Sequence, residues 1–165
     1  SVTLARRVAQ ASITLLKNEH SLLPLNKNRK VALIGPNADN RYNMLGDYTA
    51  PQEEENIKTV LDGIRAKLSS SQVEYVKGCS IRDTVTTDIE QAVAAAQRSE
   101  VIIAVVGGSS ARDFKTSYKE TGAAIADEKT ISDMECGEGF DRATLSLLGK
   151  QQELLKALKL SLIHI

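Results

Sequence analysis

The sequence predicts an α/β fold: a mostly parallel sheet with helices on both faces. Three observations predict it. The short apolar runs Val31-Ala32-Leu33-Ile34 and Val101-Ile102-Ile103-Ala104-Val105-Val106 do not alternate with polar residues, as in strands buried on both sides. Each run ends in turn residues, Gly35-Pro36 in the first case and Gly107-Gly108 in the second. Between them lie segments with apolar residues at helical spacing, and strands alternating with such helices imply crossover connections and parallel pairing.

The elements follow in order. Val2, Ala5, Val8, Ala9, Ser12, Leu15 and Leu16 form a stripe that predicts a helix over residues 2–17. Leu22-Leu23-Pro24-Leu25 is also apolar, but its proline prevents a continuing helix. The first strand is followed by a polar, glycine-containing loop from Asn37 to Pro51. Ile57, Val60, Leu61, Ile64 and Leu68 predict an amphipathic helix that ends at Ser69-Ser70-Ser71. Val73-Glu74-Tyr75-Val76 reads as the second strand, closed by Gly78. Thr87 and Glu90 have the spacing of a capping box, ahead of a stripe of Ile89, Ala92, Val93 and Ala96. The third strand spans Val101 to Val106, and a last helix from about Lys150 to Lys159 is expected to bury Leu154, Leu155 and Leu158.

Composition narrows the function classes. The 165 residues are 42% hydrophobic and 25% charged with a net charge of +0, ordinary for one domain with a real core. Balanced charge offers no electrostatic basis for a nucleic-acid partner or an acidic membrane surface. No apolar run approaches the roughly 20 residues that span a bilayer. No signal peptide is visible. The chain opens at Ser1 inside a helical pattern, and a leader lost with preceding sequence would place the protein in the periplasm or outside the cell.

Cys79 and Cys136 make neither a disulfide framework nor a metal cluster and are expected to be free and at least partly buried. His20 and His164 lack the neighbours of a zinc site, so neither metal nor cofactor is expected. Gly35-Pro36-Asn37-Ala38-Asp39 does not match the dinucleotide fingerprint, and Pro36 removes an amide that would face a pyrophosphate. A phosphate-binding G-x-x-x-x-G-K-[ST] loop and a G-x-S-x-G nucleophile elbow are both absent.

The most informative stretch is Asp133-Met134-Glu135-Cys136-Gly137-Glu138-Gly139-Phe140-Asp141-Arg142. It sets carboxylates and an arginine around glycines, near the end of a long segment without helical or strand period. Connections longer than about 12–15 residues are usually functional or disordered, and flanking glycines let a carboxylate be thrust into a cleft. In open parallel sheets, ligands bind beyond the carboxyl ends of the strands. Both Gly35-Pro36-Asn37-Ala38 and the loop from Gly107 to Arg142 leave from such ends. On spacing alone, a solvated acidic loop is an equally good reading.

Three motifs in order carry a family resemblance. Ser12-Ile13-Thr14-Leu15-Leu16-Lys17-Asn18-Glu19 with Leu22-Leu23-Pro24-Leu25 resembles the linker helix that opens the second domain of family 3 glycoside hydrolases. Val31-Ala32-Leu33-Ile34-Gly35-Pro36-Asn37-Ala38 is similar to that domain's first strand and turn. Glu138-Gly139-Phe140-Asp141-Arg142, Leu145 and Leu147-Leu148-Gly149-Lys150-Gln151-Gln152-Glu153-Leu154-Leu155 resemble the segment bearing its acid/base. The resemblance covers about Ala5 to Leu158.

The resemblance implies a truncated (α/β)6-sandwich-like domain. Residues 1–165 are then a single partial domain, the first part of the C-terminal α/β sandwich, with the N-terminal TIM-like barrel and its aspartate nucleophile absent. Residues 160–165 follow the last helix without turn residues and read as a strand or, preferably, as a foreign tail. The implied activity is that of a retaining β-glucosidase or β-xylosidase acting on terminal β-linked glucose or xylose of oligosaccharides or glucans, with the isolated segment inactive. Its implied partners are the carbohydrate substrate and the missing barrel. The alternative is a non-catalytic sugar-binding or domain-interface module of the same architecture.

By motif position the acid/base is Glu138. Retaining cleavage needs a protonated carboxyl about 5–5.5 Å from a carboxylate nucleophile, and nearby negative charge from Glu135 and Asp141 would favour its protonated form. Glu135 is the second candidate for acid/base, with solvation as its bland role. Glu135, Asp141 and Arg142 are the candidate substrate-binding residues. Asp141 and Arg142 are expected chiefly to hold the loop, through a mutual or backbone hydrogen-bonded pairing. Ser109, Ser110, Arg112 and Asp113 are candidates for lining the site or forming a polar turn, and Glu120 lies in a stretch, Ser109 to Thr130, that resembles a subfamily insertion at the rim. Lys17 and Asn18 read as structural residues at a helix C-terminus, and Cys136 as a small packed residue.

Overall fold

The first apolar run becomes the centre of a parallel sheet. In the computed structural model, β1 (Val31–Ile34) pairs with β2 (Val73–Val76) on one edge and β3 (Val101–Ala104) on the other, giving the order β2-β1-β3. Val31 lies opposite Val73 and Val101, and Ile34 opposite Val76 and Ala104. The structure describes residues 1–46, 49, 52–85, 87–110, 117–121, 124–125, 133–137 and 141–161. Glu138, Arg112, Asp113 and residues 162–165 of the tail lie outside the described residues.

All four β1 residues are buried, because both edges are paired and both faces are covered. Leu33 packs with Ala38, Leu61 and Val73 on one face. Ala32 and Ile34 pack with Ala92, Ala95, Ala96, Leu154 and Leu158 on the other. The first cluster includes α2 (Val60–Arg65), whereas α3 (Ile89–Gln97) and α4 (Gln151–Ser161) contribute to the second. Helices therefore flank both faces, as expected, but β3 is an edge strand of half-buried and exposed residues and is not buried on both sides as its apolar run predicted.

Several boundaries differ from expectation. α1 (Val2–Ser12) stops where Ile13 turns extended, and none of its residues is buried. Lys17 is therefore not at a helix C-terminus; its ammonium pairs with Glu19 at 3.1 Å. Asn18 is structural by another route: its amide donates to the Leu23 carbonyl at 3.0 Å and accepts from the Leu23 N–H at 2.9 Å.

The second helix is shorter than residues 57–68, because Ile57 is extended and Thr59 is the cap. Thr59 Oγ1 accepts from the Asp62 N–H, and Asp62 Oδ2 accepts from the Thr59 N–H, both at 3.1 Å. This is the capping box expected at Thr87 and Glu90. There Asp88 takes the cap position without a side-chain bond, and Thr87 forms a bridge with Cys79.

β3 ends at Ala104, but Val105 remains tied to β1's exit: its N–H donates to Ile34 at 2.7 Å, and its carbonyl accepts from Asn37 at 3.4 Å. A Cβ on Gly35, whose φ is +129°, would lie 2.1 Å from the Val105 oxygen, so this close crossing requires glycine. A two-residue antiparallel ladder, β4 (Ser117–Tyr118) with β5 (Ala124–Ile125), was not foreseen. Leu160 and Ser161 belong to α4, where Ser161 Oγ donates to the Leu158 carbonyl at 2.6 Å. Leu155 is half-buried beside the buried Leu154 and Leu158. Among the described residues, no helix is long and apolar enough to cross a membrane.

Candidate active site

The close approach of β1 and β3 brings their outgoing loops together at the carboxyl edge of the sheet. Asn37 Oδ1 accepts from Asn43 Nδ2 at 2.9 Å, and Asn43 Oδ1 accepts from Ser109 Oγ at 3.0 Å. The Ser109 carbonyl accepts from the Glu135 N–H at 2.9 Å. Ser109, a candidate lining residue, is thus a buried connector between three segments. Ser110 is half-buried beside it.

Gln151, which the sequence reading did not single out, closes the other side. Its Oε1 accepts from the Gly107 N–H at 2.8 Å, and its Nε2 faces the carbonyls of Ile81 and Leu148, each at 3.2 Å. The side chain is fully buried with both ends of its amide engaged, the condition under which a buried polar group is tolerated. A polar residue at the start of an amphipathic helix gave no sign of this.

Glu135, the second acid/base candidate, is only 4% exposed, so the bland alternative of a solvated residue does not hold. Its Oε1 lies 3.1 Å from Arg142 Nη1, and its Oε2 is buried with no hydrogen-bond partner among the described residues. The carboxylate occupies the space beside Gly108, where an added Cβ would fall 1.6 Å from Oε1. Arg142 also donates to the Ser146 carbonyl, the backbone form of the pairing expected for it, while its ion pair is made with Glu135 instead of Asp141. Arg82 Nη1 donates to the Met134 carbonyl at 2.9 Å, fixing the residue before Glu135.

These side chains border a cavity of about 220 Å³ lined by Arg82, Glu135, Asp141, Arg142, Thr144 and Leu148. Asp141 is exposed. Glu120 is exposed in the turn after β4. Both cysteines are free, Cys79 buried and Cys136 half-buried, and burial pushes the Cys79 thiol up to about 11. Among the described residues, no group of three or more His, Cys, Asp or Glu side chains is placed to hold a metal ion.

Comparison with known proteins gives this edge a context. The sequence model of the "Glycosyl hydrolase family 3 C-terminal domain" matches residues 13–162. The chain is 34% identical to a β-xylosidase of Formosa agariphila over 163 residues, covering 93% of this chain and 19% of that protein. It is 31% identical to a periplasmic β-glucosidase of Salmonella typhimurium, covering 73% of this chain and 21% of the relative. A β-glucosidase involved in saponin metabolism from intestinal bacteria superposes with a TM-score of 0.72 at 26% identity, over 99% of this chain and 23% of that one. A Listeria innocua β-glucosidase in complex with glucose gives 0.70 at 27% identity, over 95% and 18%. This chain therefore spans about a fifth of the length of these relatives, and it belongs to glycosyl hydrolase family 3, in that family's C-terminal domain.

Proposed function

We propose that this chain is the acid/base-bearing part of a retaining β-glycosidase that removes terminal β-linked glucose or xylose from oligosaccharides or glucans. One observation carries the reading: the segment containing Glu138 is bordered by Glu135 and Arg142, which pair with each other beside a cavity near the sheet's carboxyl edge. In this reading Glu138 protonates the leaving oxygen as the glycosyl-enzyme forms, then deprotonates the water that attacks it. Asp141 and Arg142 face the sugar or hold the loop that does. The nucleophile is an aspartate of an N-terminal barrel, so the 165-residue chain alone is inactive. The names and substrates of the relatives support the substrate class.

The test is Glu138→Ala in the full-length protein. Turnover of glycosides with poor leaving groups should fall by about 10²–10⁴-fold, with partial rescue by azide. Unchanged turnover would support a second reading, a sugar-binding or domain-interface module. The exposed apolar side chains of the N-terminal arm are the observation in its favour.

A further inference from the structure

We propose that the N-terminal arm, α1 with residues 13–16, is a docking element aimed by an elbow at Asn18 and covered by the preceding domain of the same polypeptide. The inference rests on the chain's place in its family and is independent of the role given to Glu138. α1 has 11 residues, no side-chain cap, no acidic residue in its first turn, no basic residue in its last turn and no buried residue. A helix of that length without caps or packing is marginal in water, so its formation points to a cover. The pattern shows which side is covered. At helical spacing Val2, Leu4, Ala5, Val8 and Ala9 share one side, while Thr3, Arg6, Arg7 and Gln10 share the other. Leu4, Val8, Ile13, Leu15 and Leu16 are each more than half exposed, and apolar side chains grouped in this way mark an interaction surface.

The arm leaves the sheet domain in a set direction. Both bonds of the Asn18 amide go to the backbone of Leu23, at 3.0 and 2.9 Å, and close the loop between them. Inside that loop His20 and Ser21 have φ of 54° and 53°, a left-handed conformation that is costly for residues with a Cβ and persists where the surroundings impose it. Beyond it, Gln72 Nε2 donates to the Lys27 carbonyl at 2.8 Å, and the Lys30 N–H donates to Glu100 Oε2 at 2.9 Å, which roots the elbow in the sheet domain. The sheet domain itself does not cover α1. The family's C-terminal domain model begins at residue 13, directly after α1, so the helix stands at that domain's boundary. The β-glucosidase that superposes on 99% of this chain, a span that takes in the arm, is more than four times as long, since the match is 23% of its own chain. A tethered domain is present at an effective concentration of about millimolar, which a second copy in solution does not reach.

The experiment uses the full-length protein with a benzoylphenylalanine photo-cross-linker in place of Leu16 in one variant and of Val8 in another. Irradiation should give an intrachain link, mapped by peptide mass spectrometry to residues that precede the arm. A cross-linked dimer would name a second copy as the occupant and overturn the proposal. Links confined to the sheet domain, or no link from either position, would overturn it too. Hydrogen exchange reads the same cover without a bulky probe. In the unsubstituted full-length protein, amides of α1 should exchange about tenfold or more slowly than in a peptide of residues 1–17, a protection that an uncovered helix of this length lacks. Equal exchange rates would dismiss the cover. For the elbow, Asn18→Ala should lower the yield of the Leu16 link about fivefold, the equivalent of one hydrogen bond of ordinary net strength. Asn18→Asp keeps the acceptor and should lower it less. A yield unchanged by Asn18→Ala would overturn the aiming role of Asn18. None of these readouts depends on turnover, so failure of the Glu138 assignment would leave them unaltered.

Discussion

Leu33 and Leu16 lie in segments of comparable apolar character and end in opposite environments. Leu33 is fully buried at the centre of the sheet, whereas Leu16 is 91% exposed on an arm that also presents Val2, Leu4, Val8, Ile13, Leu15 and Leu22 to solvent. The pattern in each segment reports a face suited to burial. Whether the cover exists depends on what else is in reach, and for β1 it is supplied by α2, α3 and α4. Isolated exposed leucines are ordinary in proteins, but a run of them is the mark of an interaction surface.

Three substitutions sharpen this contrast. Leu33→Ala should destabilise the 165-residue chain by about 2–5 kcal/mol in urea denaturation, because it opens a cavity in a packed core. Asp62→Asn should cost about 0.5–1 kcal/mol by removing half of the capping box at a solvent-screened site. The hydrogen bond from the Thr59 N–H, with desolvation opposing it, holds the Asp62 carboxyl below its ordinary 3.8. The unfolded chain therefore binds the proton first as pH falls. The contribution of Asp62 is complete above that ordinary value and is lost as pH drops through the lower folded value. The stability gap between wild type and Asp62→Asn should close on acidification, and a gap that stays constant with pH would dismiss the carboxylate's role. Leu16→Ser should change the stability of this chain by no more than about 0.5 kcal/mol. A markedly larger loss in the full-length protein would show that the arm is covered there.

The fold was legible where burial leaves a regular trace. Val31 to Ile34 could be read as a central strand because it lacks polar alternation, and the α4 stripe because Leu154 and Leu158 recur at helical spacing, whereas Val101 to Ala104 shares the apolar pattern and forms an edge strand. The capping box was misplaced: boxes form at Thr59 with Asp62, which lacks the usual Glu or Gln at the third position, and at Ser69 with Gln72, which was read only as a helix end. The β4–β5 ladder escaped because strands of two residues are too short to show alternation. In the site, the acidic stretch was visible, but the burial of Glu135 was not, since a charged residue is ordinarily solvated. The available signal was indirect: Gly107-Gly108 left the end of β3 without side chains, and Gly108 provides the space that Glu135 fills. Gln151 drew its importance chiefly from two partners distant in sequence, Gly107 and Ile81, which no local spacing encodes.

The bond between the Gly107 N–H and Gln151 Oε1 has a consequence for how such a domain can diversify. It staples the departure point of a long excursion to its return point, so the intervening chain behaves like a cassette plugged into a fixed socket. Residues can be gained or lost within the cassette while the sheet and α4 keep their places. New rims can therefore be tried over an unaltered foundation.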